Sequence, residues 1–492
     1  MTETAKKKRG MPSSFTILLA LLAIVAVVTV IVSGTSGGAV TAARLSDFCT
    51  APIKGFADAL PVCLFVMILG GFLGMMTETG ALDNGIAVLV QKLKGNEIML
   101  IPVLMLIFSL GGTTYGMCEE TVPFYALLAA TMMAAGFDPM VGAATVLLGA
   151  GCGGLGPPVT PCAVGAAVDA LTGVGIEVNQ SIIIGLGAVL WIVTTAMSIV
   201  FVMNYAKKVK ADKGSTILSM QELKDAEEAH GKAASEVHKE VKLTGRQKGV
   251  LIAFAFTFVV MIVGFIPLAD LNEGVANFFD AGAVYDADGN AVVQGWSALI
   301  TGLPIGQWYF DEASTWFFLM AVLIGIIGGL SEKQIVNTFI TGAADMMSVV
   351  LVIALARGIS VLMANTGLDV FVLDAAANAL AGLSGVIFAP MSFLVYFGLS
   401  FLIPSTSGMA TVSMPIMGPL AVKLGFSPEV MVMIFSAAIG VVNLFTPTSG
   451  AIMGGLALAK IEWTTWLKFA LKLIVALSVV CAVILTVACV LL

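Results

Sequence analysis

Long, unbroken apolar runs, such as 15–32 and 181–202, alternate along the chain with short polar segments. They lack the period-two alternation of a membrane barrel strand. A helix needs about 20 apolar residues to cross a bilayer core about 30 Å thick, so the runs predict membrane-spanning helices. Some runs stop short. Residues 98–110 and 122–135 would each rise only about 20 Å as helix. The stretch between them, Gly111-Gly-Thr-Thr-Tyr-Gly-Met-Cys-Glu-Glu-Thr121, is polar and glycine-rich. This predicts a re-entrant hairpin over 98–135, with a tip tolerable at membrane depth only against protein or a wet cavity. Residues 140–171 read as one crossing, broken at Leu155-Gly-Pro-Pro-Val-Thr-Pro161.

The second half repeats the plan. A hairpin is predicted over 390–424 with its tip at 403–411, then a broken helix over 429–461 interrupted at Asn443-Leu-Phe-Thr-Pro-Thr-Ser-Gly450. Gly55-Phe-Ala-Asp58 recurs as Gly342-Ala-Ala-Asp345, and Thr79-Gly80 as Thr366-Gly367, both 287 residues on. Gly136-Phe137-x-Pro139 recurs as Gly425-Phe426-x-Pro428 at 289, where Pro158, Thr160 and Gly165 also pair with Pro447, Ser449 and Gly454. One such match means little in a chain rich in Gly and Ala. A series in preserved order predicts a duplication.

Composition supports this picture and narrows the chemistry. With 59% apolar and 11% charged residues, the chain is an all-α polytopic membrane protein with room for roughly ten to twelve spans. Both histidines, His230 and His238, lie in the charged segment 207–248, leaving no imidazole at membrane depth. Zinc binding and histidine-dependent catalysis are therefore not expected there, nor is the chain expected to be an enzyme. The seven scattered cysteines form no disulfide framework. The expected partners are a small solute and the bilayer, with no nucleic acid.

Charge also orients the spans. Lys6, Lys7, Lys8 and Arg9 precede the first run, and ten Lys and Arg residues lie within 207–248, so both segments are expected on the cytoplasmic side. No Lys or Arg occurs in 249–332, which includes an acidic loop expected outside. The domain plan is then a cytoplasmic N-terminus at 1–15, repeat one at 16–206, a cytoplasmic loop at 207–248 and a linking helix at 249–268. An outer loop at 269–313 and repeat two at 314–492 follow, ending outside. Both loops read as solvated connectors. Trp463 and Trp466 read as an interfacial anchor of the last span. The second copy starts outside, so the two repeats have inverted topology, the arrangement of many secondary transporters.

Half-helix N-termini meeting near the midplane would suit a carboxylate, and half-helix C-termini would suit Na⁺, with residues for the ion unassigned. The polar side chains placed to line such a site are Thr113, Thr114, Thr160, Ser405, Thr406, Ser407, Asn443, Thr446, Thr448 and Ser449. Glu119, Glu120 and Arg357 are ionisable groups at membrane depth, where such groups are costly and paired or functional. If Arg357 pairs with one Glu, the remaining Glu makes the site net negative. That favours a cation or a basic zwitterion over a dianion. Asp58 and Asp345 read as repeat mates at helix starts.

The stretches Gly116-Met-Cys-Glu-Glu-Thr-Val-Pro-Phe-Tyr125, Ala356-Arg-Gly-Ile-Ser360, Ser400-Phe-Leu-Ile-Pro-Ser-Thr-Ser-Gly408 and Asn443 to Gly450 resemble the YfcC branch of the C4-dicarboxylate anaerobic carrier family, within the ion transporter superfamily. The resemblance spans nearly the whole chain from about Met11. It implies a dimerising scaffold in the bacterial inner membrane and elevator-like movement of a hairpin-bearing domain. Its substrate is implied as an arginine and ornithine type amino acid for exchange, or alternatively a C4-dicarboxylate carried with Na⁺ or H⁺. It implies no cofactor beyond such a coupling ion.

Overall fold

The computed structural model describes residues 14–492 except 83, 86, 87, 89–95, 115, 117, 158, 159, 237–241, 267, 269–272, 286–290 and 404. The predicted segment before Ser14, and Pro158 of the first broken helix, lie outside the described residues. The first repeat builds α1 (Ser14–Ser33), α2 (Leu45–Asp58), α3 (Leu60–Glu78), α4 (Leu100–Thr114), α5 (Val122–Ala134), α6 (Pro139–Leu155), α7 (Ala166–Thr172) and α8 (Gln180–Ala211). The joining segment carries α9 (Met220–Glu236), α10 (Gly245–Phe265), α11 (Glu273–Phe279) and a two-stranded hairpin of β1 (Val284–Tyr285) and β2 (Ala291–Val293). The second repeat builds α12 (Phe310–Gly328), α13 (Glu332–Asp345), α14 (Met347–Thr366), α15 (Leu368–Leu380), α16 (Gly385–Leu402), α17 (Thr406–Lys423), α18 (Pro428–Val442), α19 (Gly450–Leu458) and α20 (Trp463–Leu491). Apart from the small hairpin, the described chain is helical. Among the described residues, eight helices are long and apolar enough to cross a membrane, and five shorter apolar helices accompany them.

Duplication is written into the packing. Shifting α2 by 287 residues lands on α13, and shifting α3 lands on α14 to within one residue. The two units pack crosswise and antiparallel, α2 on α14 and α3 on α13. The Thr41 N–H donates to the Thr366 carbonyl at 2.9 Å near one end, Gly55 meets Ala354 and Gly358 further along, and Gly70 meets Gly342 beyond the middle. The contacts are reciprocal: Gly55 abuts Gly358, while its mate Gly342 abuts Gly70 and Gly71. Such reciprocity is the mark of a two-fold relation between like surfaces. Cys63 touches its own mate, Val350, through Sγ and the carbonyl oxygen at 4.0 Å, so the pseudo-axis passes there. A small apolar cluster surrounds it, with Ala59, Cys63 and Val66 against their mates Met346, Val350 and Ile353. The two repeats are therefore inverted. At the second crossing the same rule holds at a shift of 289: Gly151 abuts Leu444, and Gly440 abuts Leu155.

Several expected boundaries move. Thr113 and Thr114 belong to the end of α4, and a 3-10 turn follows at Glu119–Thr121. The helix expected to begin at Pro390 starts at Gly385, which gives α16 18 residues, about 27 Å at 1.5 Å per residue. Pro390 lacks only one N–H, and the apolar residues before it keep the helix favourable in spite of that loss. The tip of the second hairpin is shorter than 403–411 because Ser405 caps α17, accepting the Gly408 N–H at 3.2 Å. Asp58 and Asp345 end α2 and α13 and do not start helices.

The 207–248 segment is no mere solvated connector. Its helix α9 packs against α5 and reaches the ends of the second broken helix. Glu222 accepts the Glu462 N–H at 2.9 Å, and the His230 Nε2–H donates to the Leu458 carbonyl at 3.1 Å. Upstream, the Thr216 hydroxyl and the Tyr205 hydroxyl both donate to Asp138, the N-cap of α6, at 2.7 and 2.6 Å. Burial first, and then the nearby Lys460 charge, hold the His230 imidazole below its ordinary value; the Leu458 hydrogen bond opposes them. The sign follows from linkage. Above the ordinary pKa of about 6.5 both states hold a neutral ring; below it the undocked ring takes up a proton that the docked ring resists. Docking of α9 is expected to weaken as pH falls below about 6.5, read as faster hydrogen exchange over 220–236. His230→Gln should flatten that pH dependence.

Candidate functional site

The interrupted helices converge on one cavity of about 270 Å³, at the small end of solute-binding sites. Its floor is symmetric. Leu147, Ala150, Gly151 and Gly154 of α6 line it together with their mates Ser436, Ile439, Gly440 and Asn443 of α18. Each of these sets recurs at three- and four-residue spacing, one face of a helix. Gly116, at φ +85°, turns the chain out of α4 within the cavity wall, a left-handed backbone that a residue with a Cβ adopts only at a cost.

Of the polar residues expected at the site, Glu120, Thr160, Arg357, Ser405, Thr406, Ser407, Asn443, Thr448 and Ser449 line this cavity. They come from both repeats, with Arg357 supplied by α14. Three others stand apart. The Thr113 hydroxyl donates to the Gly156 carbonyl at 3.4 Å, and the Thr114 hydroxyl donates back to Leu110 at 2.7 Å, so both serve the helix framework. Thr446 is fully buried behind the wall, where its hydroxyl pairs with that of Thr448 at 2.7 Å. The Glu119 side chain lies outside the described residues. Ser405 and Ser449 also cap α17 and α19, so the backbone N–H groups at the starts of those helices point into the same region.

Among the described residues, the ion pair of Arg357 is with Asp58. Arg357 lies 3.7 Å from Asp58 through Nε, across the packed pair α2 and α14. Asp58 is well exposed, so this contact positions the guanidinium more than it stabilises the fold. Glu120 is only 3% exposed, and its carboxylate accepts the Cys118 N–H at 2.9 Å, which holds the first tip in shape. Among the described residues, Glu120 and Arg357 line the cavity and Asp58 stands beside Arg357.

Other wall residues were hidden in sequence. Trp308, Tyr309 and Phe310, at the end of the segment expected as a loop over 269–313, line the cavity with Phe265 of α10. Trp308 packs on Gly264, and its main-chain N–H donates to the Gly264 carbonyl at 3.0 Å, which ties the segment's end to α10. The segment is therefore more than a connector. Trp463 and Trp466 also serve the site from behind. Their indole N–H groups donate to the Phe445 and Leu444 carbonyls at 2.7 and 2.9 Å, inside the break between α18 and α19. Trp466 is fully buried, so it is no interfacial anchor. Carbonyls freed by a break need donors when water is excluded, and the two tryptophans supply them.

The pattern of the family described as "C4-dicarboxylate anaerobic carrier" matches residues 39–490. A Haemophilus influenzae protein of uncharacterised function is 28% identical over 445 residues, 90% of this chain and 78% of the relative. The Escherichia coli K12 protein YfcC, provisionally named a basic amino acid antiporter, is 27% identical over 440 residues, 87% of this chain and 77% of the relative. Among solved structures, Neisseria gonorrhoeae MtrF, of a class of antimetabolite efflux pumps, is similar over 98% of this chain and 96% of its own, at 16% identity and a TM-score of 0.44. The Alcanivorax borkumensis YdaH transporter is similar over 97% and 98%, at 15% identity and a TM-score of 0.45.

Proposed function

The chain belongs to the C4-dicarboxylate anaerobic carrier family, and from that premise we propose that this membrane transporter exchanges basic amino acids of the arginine and ornithine type. The observation that carries the reading is the placement of charge in the cavity. Arg357 lies beside Asp58, and buried Glu120 places a carboxylate in the cavity lining, where a guanidinium or ammonium group of the solute would find an acceptor. The α-carboxylate of the same solute would be met by the N–H groups at the starts of α17 and α19, with Arg357. The name of the Escherichia coli relative agrees with this class of solute. A dianion would need two cations where the described wall holds one.

In this proposal the helices α4 to α7 and α16 to α19 form the moving bundle, with the two hairpins re-entrant at their tips. It slides past a fixed bundle of α1 to α3 and α12 to α14, as in an elevator. The N-terminus is cytoplasmic and the C-terminus outside, in the bacterial inner membrane. Ile53 of α2 and its mate Ile340 of α13 stand exposed on the fixed bundle, a surface available to a second copy in a homodimer. The alternative is a C4-dicarboxylate carrier coupled to Na⁺ or H⁺, favoured by the family description and by the helix N-termini at the cavity. Counterflow in proteoliposomes separates the two. Labelled arginine should accumulate against internal ornithine and not against internal succinate; accumulation of succinate alone would reject the amino-acid reading.

A further inference from the structure

We infer that the Ser436 hydroxyl is a ligand of the transported solute and accepts a hydrogen bond from its cationic group. The inference rests on the basic amino acid reading above and adds a residue to it. Ser436 is 2% exposed, its Oγ has no hydrogen-bond partner among the described residues, and it lines the central cavity. The other buried side-chain polar atoms without partners, on Trp191, Thr195, Ser314, Ser360 and Ser392, lie away from the cavity lining.

A helical serine or threonine in an apolar setting ordinarily donates to the carbonyl one turn back. Thr145 does so in α6, to Val141 at 2.8 Å, and Ser400 does so in α16, to Tyr396 at 2.6 Å. The Ser436 hydroxyl makes no such bond. Its repeat mate is Leu147, which lines the same cavity from α6. A leucine therefore satisfies the packing at this register, and the fold itself does not demand a hydroxyl there. A buried hydroxyl without a partner is unfavourable, so the cavity's occupant is the natural source of one.

The neighbourhood sets the sign of that occupant. Ser436 shares its helix face with Gly440 and Asn443, within two turns of the C-terminal end of α18, where the helix presents carbonyl groups and partial negative charge. Glu120 contributes a carboxylate to the same cavity. A guanidinium or ammonium donor suits this side, and the hydroxyl would accept from it.

The test uses the full-length chain in detergent, with arginine as the probe and thermal stabilisation as the readout of affinity. Ser436→Ala is expected to weaken arginine binding about tenfold, the size of one hydrogen bond to a charged group. It should leave the melting temperature of the ligand-free protein unchanged or higher, because an orphaned hydroxyl has been removed. Ser436→Thr keeps the hydroxyl and should stay within about threefold of the parent. Arginine binding by Ser436→Ala equal to the parent would overturn the inference, since the hydroxyl would then meet only water. An equal loss in both variants, with a lowered ligand-free melting temperature, would overturn it as a packing effect. A parent protein stabilised by succinate and not by arginine would instead reject the amino-acid reading on which the inference stands.

Discussion

Replacing Glu120 with Gln is expected to reduce arginine and ornithine exchange at least thirtyfold in kcat/KM. The loss corresponds to about 2 kcal/mol, the low end for removing one member of a buried charged pair. The substitution is well suited to isolate charge. The Glu120 carboxylate accepts the Cys118 N–H at 2.9 Å, and a glutamine amide oxygen can accept the same bond, so the first tip keeps its shape. What disappears is the negative charge facing a guanidinium. The same substitution should improve succinate transport if the dicarboxylate alternative holds, because it removes a repulsion from the wall. Initial rates with both solutes therefore decide between the readings, and unchanged arginine exchange would remove Glu120 from the site.

The second large effect concerns motion. Helix α19 packs on α14 through Gly450 and Gly454; a Cβ on Gly454 would lie 2.6 Å from Val349, and Gly450 abuts Ile353. Small residues on one side and β-branched residues on the other let the two backbones approach closely. The repeat mate of α19 is α7, which packs on α17 instead. An inverted repeat that packs unequally in one state is expected to exchange those packings in the other. The mate of the Val349 and Gly454 contact is Val62 with Gly165. In a chain whose native cysteines are replaced, Val349→Cys with Gly454→Cys should cross-link in the present state. Val62→Cys with Gly165→Cys should cross-link only after solute or gradient drives the exchange. Either bond should stop transport, with recovery on reduction. A Val62 and Gly165 pair that never cross-links under any solute condition would reject the elevator exchange.

The repeat was legible because it is a matter of order along the chain. The offset of 287 residues, read from Gly55 and Gly342, places α13 over the bounds of α2 and brings Cys63 against Val350. The breaks after Leu155 and Val442 were also legible, since glycine, proline and threonine gather there and such clusters commonly interrupt apolar helices. Other features were not. Ser436 sits in the apolar run Val430 to Val442, where a lone serine looks like any small core residue. Trp308 to Phe310 read as part of a solvated loop, and Trp466 as a surface anchor, because indoles favour both burial and interfaces. Asp58 beside Arg357 was not legible either, because it is brought in only by the packing of α2 on α14.

The sequence by itself determined the helical class, the two inverted copies and the places where helices break, since hydrophobic period, chain order and local breakers are properties of neighbouring residues. Tertiary structure alone decided which side chains face the shared cavity. The mates Leu147 and Ser436, or Gly154 and Asn443, occupy one register in two copies, yet their chemistry acquires meaning only when helix rotation and close glycine contacts turn both onto a common wall. Rotation about a helix axis is set by packing against distant segments, and no stretch of consecutive residues encodes it.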